Sequence, residues 1–309
     1  MPPTDLSPPE AVLLATAAVF GALLLAVTLQ LPVVMLVAWW RRGPSSHASR
    51  RPAAPVRRAG GQIVGAREMQ EDEIGFIDSP LLDPGGLHPV AVVADGMGGH
   101  AGGSVASRVA VRAFVEAYAP EGRVAHRLRA ALDRANEAIG HAVDSDRALD
   151  GMGTTLVAAA LTTDGLEWIS VGDSRLCLYR AGRLKRLNAD HSMAPVIAAM
   201  REMDPEAAAG MKAHELRSAL VGRTIAKIDT SATPERLQPG DLVLLASDGL
   251  DTLDDEEAAA IIAARRSNGL EAVKDALLAA VNARGSATQD NATVALLEAP
   301  GDPMHRARM

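Results

Sequence analysis

The feature that most constrains this chain is a run of 28 uncharged residues near its N-terminus, at 11–38. A helix of that length reaches roughly 42 Å, whereas about 20 apolar residues cross a bilayer core. Two tryptophans and two arginines follow at 39–42, as is typical of a membrane interface. A secretory signal peptide has a basic start and a shorter apolar stretch, and a core helix this apolar would need a partner on every side. We therefore interpret 11–40 as a retained transmembrane helix.

The charges around this run predict its orientation. Residues 1–40 contain no Lys or Arg, whereas 41–60 contain six arginines and no acid. By the positive-inside rule, the short tail 1–10 is expected outside and the rest of the chain in the cytoplasm, on a single-pass anchor in the inner membrane. The basic, proline-containing segment 41–60 is typical of a flexible linker, either inert or lying near anionic headgroups.

Composition and net charge limit the class of protein to which the rest of the chain can belong. Hydrophobic residues make up 48% and charged residues 22%, which excludes a disordered protein. The single cysteine, Cys177, excludes a disulfide scaffold and a cysteine-rich zinc site. A net charge of −7 argues against nucleic-acid binding. We expect one folded domain at 61–298, followed by a short tail at 299–309.

Within this domain, apolar runs and helical periodicity predict an α+β fold. The helices fall between groups of strands and do not alternate with them one for one, which disfavours a doubly wound parallel sheet. The predicted strands are 88–94, 154–161, 167–171, 175–179, 242–246 and 292–297, and the predicted helices are 124–143, 256–265 and 269–283.

Acidic residues fall repeatedly at the ends of the predicted strands. Each could on its own be a turn or a helix cap. Several together, without a matching basic cluster, would repel one another and need a cation if the fold brings them into one place. Since no His or Cys accompanies them, Mg²⁺ or Mn²⁺ is favoured over zinc. The positions are Glu71, Asp72, Asp95, Asp173, Asp248 and Asp290.

This pattern is typical of phosphoryl chemistry. Two cations about 4 Å apart can activate a water and hold a phosphoryl group. Glycine after Asp95 lets the carbonyl of Gly96 approach an ion, and Arg67 could bind phosphate oxygens. A dinucleotide-binding loop at 95–103 is disfavoured, because Asp95 would face the pyrophosphate and no βαβ unit with a terminal acid follows.

Seven motifs in this order resemble the metal-dependent protein phosphatases (PPM, or type 2C), in particular the bacterial serine/threonine phosphatases. They are REMQED, VVADGMGGHAGG, GMGTTL, VGDSR, ADHS, LLASDGL and QDNATV, and they span most of 61–298. The resemblance implies a four-layer α-β-β-α sandwich with two mainly antiparallel sheets.

The resemblance also implies a role for each acid. Asp95 would bridge two Mn²⁺ or Mg²⁺ ions, with Gly96 ligating through its carbonyl. Asp248 and Asp290 would complete one ion, Glu71 and Asp72 would serve the other partly through water, and Asp173 would help hold a weaker third ion. Arg67 would bind the substrate phosphate, and a metal-bridging hydroxide would attack phosphorus directly.

The resemblance also implies three differences among members of the family near the site. The stretch 190–230 would be the flap that influences substrate choice, and Met97 stands where eukaryotic members carry a histidine. Relatives often read D-G-L-x-D, whereas here the second acid, Asp251, falls one residue early.

These observations predict a membrane-anchored phosphatase acting on phosphoserine and phosphothreonine in proteins, opposing a serine/threonine kinase. Two alternatives stay open on the sequence. The same scaffold could be a non-catalytic module that binds phosphoproteins, or it could hydrolyse a small phosphoester.

Overall fold

The structure is a computed structural model of the chain, and it describes residues 56–78, 89–98 and 102–299. The backbone divides into two units, Met1–Pro52 and Ala53–Met309, and every described residue belongs to the second. The predicted transmembrane helix 11–40 lies outside the described residues. Within the described ranges, no helix is long and apolar enough to cross a membrane.

One sheet has five antiparallel strands, numbered with the others in chain order. They are β1 (Arg57–Ile63), β7 (Arg175–Arg180), β8 (Arg183–Arg186), β10 (Leu242–Ala246) and β11 (Ala292–Glu298). Their order is β1-β11-β10-β7-β8. Strand β1 starts inside the segment predicted as linker, 41–60, so the folded domain begins earlier than residue 61.

The second sheet has six strands, and its pairs are also antiparallel. They are β2 (Asp72–Ile77), β3 (Val90–Met97), β4 (Gly153–Thr154), β5 (Leu156–Leu161), β6 (Leu166–Val171) and β9 (Asp229–Thr230). Five of them follow the order β2-β3-β5-β6-β9, and β4 pairs with the end of β3.

Helices cover the outer faces of both sheets. Helices α1 (Gly102–Ala117) and α2 (Val124–Ser145) pack on the second sheet, and α5 (Asp255–Arg265) and α6 (Leu270–Ala283) pack on the first. Two shorter helices, α3 (Ala194–Met203) and α4 (Pro205–Ala208), lie in the predicted flap. The predicted α+β fold with two antiparallel sheets is confirmed.

Alternation along the strands explains why the layers stack in this way. Successive side chains of a strand point to opposite faces. In β10, Leu242 and Leu244 pack with the apolar faces of α5 and α6, whereas Val243 and Leu245 pack between the two sheets. Both faces of β10 are therefore buried, and the strand reads as a continuous apolar run.

Substitution of Leu176 tests the packing between the two sheets. It is 0% exposed and belongs to the core that the sheets share. We expect Leu176→Ala to lower the free energy of unfolding by about 2–5 kcal/mol, because it leaves a cavity in a closely packed interior. Urea unfolding measures the effect.

The matched control is Met203→Ala, at a side chain that is 87% exposed. It should change the same free energy by less than about 0.5 kcal/mol. Equal losses in the two variants would contradict the assignment of Leu176 to the shared core.

Candidate metal centre

The fold brings the predicted acids to a common edge of the two sheets. Asp72 and Asp95 are register partners across β2 and β3. Asp173 lies in the turn between β6 and β7, Asp248 opens a short 3₁₀ helix after β10, and Asp290 precedes β11. Asp95 itself lies within β3 and not at its end, because pairing with β4 extends the strand to Met97.

These carboxyl groups lie near enough to one another for their charges to interact. Burial raises the pKa of Asp95 well above its usual range, and repulsion from four other carboxylates raises it further. Those carboxylates belong to Asp72, Asp248, Asp173 and Asp290. Burial, followed by repulsion from Asp248, likewise raises the pKa of Asp173 to about 6. The carboxylates predicted from scattered strand ends are therefore neighbours in space.

Two features of Asp248 fit a divalent cation. Burial, followed by repulsion from Asp290 and Asp251, raises the pKa of its carboxyl group, so a cation beside it would favour the charged form. Its Oδ1 is buried without a hydrogen-bond partner among the described residues. Within the same residues, no three His, Cys, Asp or Glu side chains converge closely enough to hold an ion as they stand. The all-oxygen donor set fits Mg²⁺ or Mn²⁺.

A second group of oxygens converges on the start of α1. A Cβ atom at Gly103 would lie 2.5 Å from Oε1 of Glu71 and 2.9 Å from the carbonyl oxygen of Gly96. A Cβ at Gly96 would lie 2.1 Å from the carbonyl oxygen of Gly103. Both positions therefore require glycine. The carboxylate of Glu71 and the carbonyl of Gly96 approach one point, as expected of two ligands of one ion.

Asp72 has a different environment from the other acids. It is 4% exposed, and its Oδ2 accepts hydrogen bonds from the hydroxyls of Ser247 and Thr293, each at 2.7 Å. Burial outweighs these two bonds and raises its pKa to about 6. This carboxylate ties β2 to the two central strands of the other sheet, so one of its oxygens is already committed to the fold.

Arg67 lies in the centre, beside the last of the acids. Its Nη2 contacts Oδ2 of Asp290 in an ion pair. The loop that carries Arg67 is fixed by Asn291, which accepts from the backbone N–H of Glu71 at 2.7 Å. The same side chain donates to the carbonyls of Val64 at 2.8 Å and Met69 at 3.0 Å. Arg67 can therefore reach a phosphate bound near Asp290.

Sequence reasoning missed the polar side chains that hold the acids. The hydroxyl of Thr155 accepts from the backbone N–H of Asp95 at 2.9 Å, and that of Thr154 donates to its carbonyl at 2.7 Å. Ser174 contacts the Thr155 hydroxyl at 2.7 Å. A signal was present, since four of the motifs, GMGTTL, VGDSR, LLASDGL and QDNATV, place Ser, Thr or Asn next to an acid or directly after a glycine.

Asp251 does not join the cluster as a free carboxylate. Its Oδ1 accepts from Nη1 of Arg175 at 2.8 Å, and the same guanidinium contacts Asp255. In the turn between β6 and β7, Nη2 of Arg186 donates to the carbonyl of Asp173 at 2.6 Å. The displaced acid of the D-G-L motif is thus neutralised by an arginine.

Comparisons with known proteins identify the family. Residues 78–282 match the family model described as protein phosphatase 2C. The serine/threonine phosphatase stp of Listeria welshimeri is 34% identical over 218 residues, which cover 68% of this chain and 84% of that protein. The chain belongs to the protein phosphatase 2C family.

Solved structures agree with this assignment. The crystal structure of the Mycobacterium tuberculosis serine/threonine phosphatase PstP matches with a TM-score of 0.64 and 28% identity, covering 79% of this chain and 99% of that one. A structure of the PstP catalytic domain in complex with two manganese ions matches with the same score and identity, covering 98% of that chain. This protein is a serine/threonine protein phosphatase of bacterial type. The metal-binding and phosphate-binding roles of its individual residues stay predictions.

Substitution of Gly103 tests whether Glu71 and Gly96 bind the same ion. In Gly103→Ala the new methyl group would displace the Glu71 carboxylate, so we expect about a 10- to 100-fold loss of Mn²⁺ affinity. Some stability is also lost, because the methyl group would meet the backbone carbonyl of Gly96 at 2.9 Å, so the Mn²⁺ requirement is measured on the folded fraction. The Mn²⁺ concentration for half-maximal hydrolysis of p-nitrophenyl phosphate gives the affinity, and thermal unfolding gives the stability.

The neighbouring glycine of α1 supplies the control. A Cβ at Gly102 would meet only Met152, at 3.3 Å or more. Gly102→Ala should therefore keep the wild-type Mn²⁺ requirement. An unchanged requirement in Gly103→Ala would refute the shared ion.

Proposed function

We propose that this enzyme hydrolyses phosphoserine and phosphothreonine in proteins with two Mn²⁺ or Mg²⁺ ions and opposes a serine/threonine kinase. The observation that carries the metal requirement is the geometry at one edge of the fold, where Asp72 and Asp95 are register partners and Oδ1 of Asp248 is buried without a hydrogen-bond partner in the described part of the chain. The relatives named stp and PstP, and the PstP structure with two manganese ions, support the substrate class and the number of ions.

Each residue of the centre would then have a distinct task. Asp95, between the other acids, would bridge the ions, with Asp248 and Asp290 on one side and Glu71 and the Gly96 carbonyl on the other. When bound, two such ions lower the pKa of a water and supply the nucleophile for attack on phosphorus. Asp72 would act through water with its remaining oxygen, and Asp173 would serve a weaker third ion.

Arg67 would position the phosphate. A guanidinium offers two parallel N–H donors to phosphate oxygens, a geometry that lysine does not provide. In the ion pair with Asp290, the guanidinium is already held beside an acid of the centre. Binding a phosphate there would orient the phosphorus toward the attacking water, which accounts for part of the acceleration.

We also propose that the enzyme is anchored in the inner membrane with its catalytic domain in the cytoplasm. The support is the uncharged run at 11–38 and the arginines that follow it. Attachment would concentrate the enzyme near phosphoproteins of the membrane surface.

Substitution of the bridging acids tests the chemistry. Release of phosphate from a phosphothreonine peptide with Mn²⁺ should fall by at least about 100-fold in Asp95→Asn and in Asp248→Asn, because ligand loss exceeds the effect of outer residues. EDTA should abolish wild-type turnover. Asp144→Asn, at an exposed acid on α2, serves as the control and should retain activity. Metal-dependent turnover that survives both ligand changes would exclude this mechanism.

Removal of 1–40 tests the anchor. Because none of the motifs lies there, the truncated enzyme should be soluble and hydrolyse the same peptide as fast as the full chain. The full chain should fractionate with membranes and be released by detergent but not by carbonate. A reporter fused after Met309 should be active only in the cytoplasm. Recovery of the full chain in the soluble fraction would contradict the anchor, and reporter activity on the outer side would contradict the orientation.

A further inference from the structure

A short segment at the end of the predicted flap is attached to the metal centre. This segment, 220–223, is called here the flap stem. Leu220 and Thr154 exchange two backbone hydrogen bonds, of 2.9 and 3.0 Å. The hydroxyl of Thr154 donates in turn to the backbone carbonyl of Asp95. A single residue, Thr154, therefore links the flap stem to Asp95.

On its other side, the flap stem is held by Asn136 of α2. Its Oδ1 accepts from the backbone N–H groups of Val221 at 3.1 Å and Gly222 at 3.0 Å. Its Nδ2 donates to the carbonyl of Arg223 at 2.7 Å. An asparagine offers both donors and acceptors, and this one uses them on three successive residues.

Two glycines bring the flap stem against the helix. Gly222 has φ of +73°, and a Cβ there would lie 2.4 Å from Cα of Gly140. Gly140 is one helical turn after Asn136, so both contact the flap stem from the same face of α2. The backbone of the flap stem therefore has one position relative to Asp95.

This position places two apolar side chains beside the candidate metal ligands. A Cβ at Gly153 would lie 2.8 Å from Cε of Met97 and 2.9 Å from Cγ1 of Val221, so both side chains lie over this glycine. Met97 directly follows Gly96. Val221 remains 37% exposed although its backbone is fixed. Together they form a small apolar wall at the rim of an acidic centre.

We infer that Val221 and Met97 contact the residue next to the phosphorylated one and favour an apolar side chain there, with Asn136 as the positioning residue. The inference rests on the proposed function, since it takes the phosphate to lie at the ions. A substrate side chain at this wall would remove apolar surface of both partners from water, which is favourable and tolerant of shape. A polar side chain in the same place would lose hydration without gaining a partner.

The experiment compares two phosphothreonine peptides that differ only in one neighbour of the phosphothreonine, Leu or Ser. Wild-type enzyme should show a higher kcat/KM for the Leu peptide, by up to roughly tenfold, as is typical of a small apolar contact. Val221→Ser should bring the ratio of the two values close to one. The ratio is measured within each variant, so a partly inactive preparation does not distort it.

Substitutions of Asn136 test the positioning role. Asn136→Ala loses all three bonds and should raise KM for the Leu peptide with little change in kcat, and so lower the ratio. Asn136→Asp keeps both bonds to N–H groups and should retain most of the preference. Asn282→Ala, at an exposed asparagine of α6, should keep the wild-type ratio.

The outcomes separate this inference from the proposed function. If the wild type hydrolyses p-nitrophenyl phosphate with Mn²⁺ but both peptides equally well, the inference is wrong and the phosphatase function stands. The same holds if Val221→Ser keeps the preference, a result that does not depend on whether Asn136→Ala folds. Absence of any Mn²⁺-dependent turnover by the wild type would contradict the proposed function itself.

Discussion

Repulsion between buried carboxylates is the constraint on which the rest of this structure depends. Charged groups in a fold interior are tolerated when they find a proton, a cation or hydrogen-bond donors. Asp72 has two hydroxyl donors, and Asp290 has the guanidinium of Arg67. Burial and neighbouring carboxylates raise the pKa values of Asp95 and Asp248, and Oδ1 of Asp248 has no hydrogen-bond partner in the described part of the chain. A divalent cation would supply the missing positive charge. The close placement of carboxylates that destabilises the fold without an ion therefore favours metal binding.

Several small polar side chains hold the backbone segments that carry these acids. Thr155 and Thr154 fix the backbone of Asp95, and Asn291 fixes the loop of Arg67. Asn188 does the same for the Asp173 turn, since it accepts from Leu176 and donates to the carbonyl of Ser174. Because these bonds are made to backbone groups, they hold Asp95 and Asp173 in place without using the carboxylate oxygens of either residue. Residues of this kind orient ligands without touching an ion.

The sequence predicted those elements whose patterns are strong and local. Strand β10 has the predicted bounds because it is an uninterrupted apolar run. Helix α2 starts at the predicted residue, because its apolar stripe has helical spacing, and ends two residues later than predicted. Helix α1 was missed, since it begins with two glycines and has no acidic first turn. The positions of the acids followed from strand ends. Their partners did not, because the hydroxyls that bind Asp72 lie 175 and 221 residues further along the chain.

The one-residue shift in the D-G-L motif has a structural consequence that follows from helix geometry. Side chains three residues apart eclipse in a 3₁₀ helix, so Asp251 lies on the same side of this turn as Asp248. Burial and repulsion from Asp290 raise the pKa of Asp248, and repulsion from Asp251 raises it further. Arg175 offsets that charge. The following residue, Thr252, donates instead to Gln289, which itself donates to the carbonyl of Gly249. This turn is thereby fixed by an arginine and a hydroxyl.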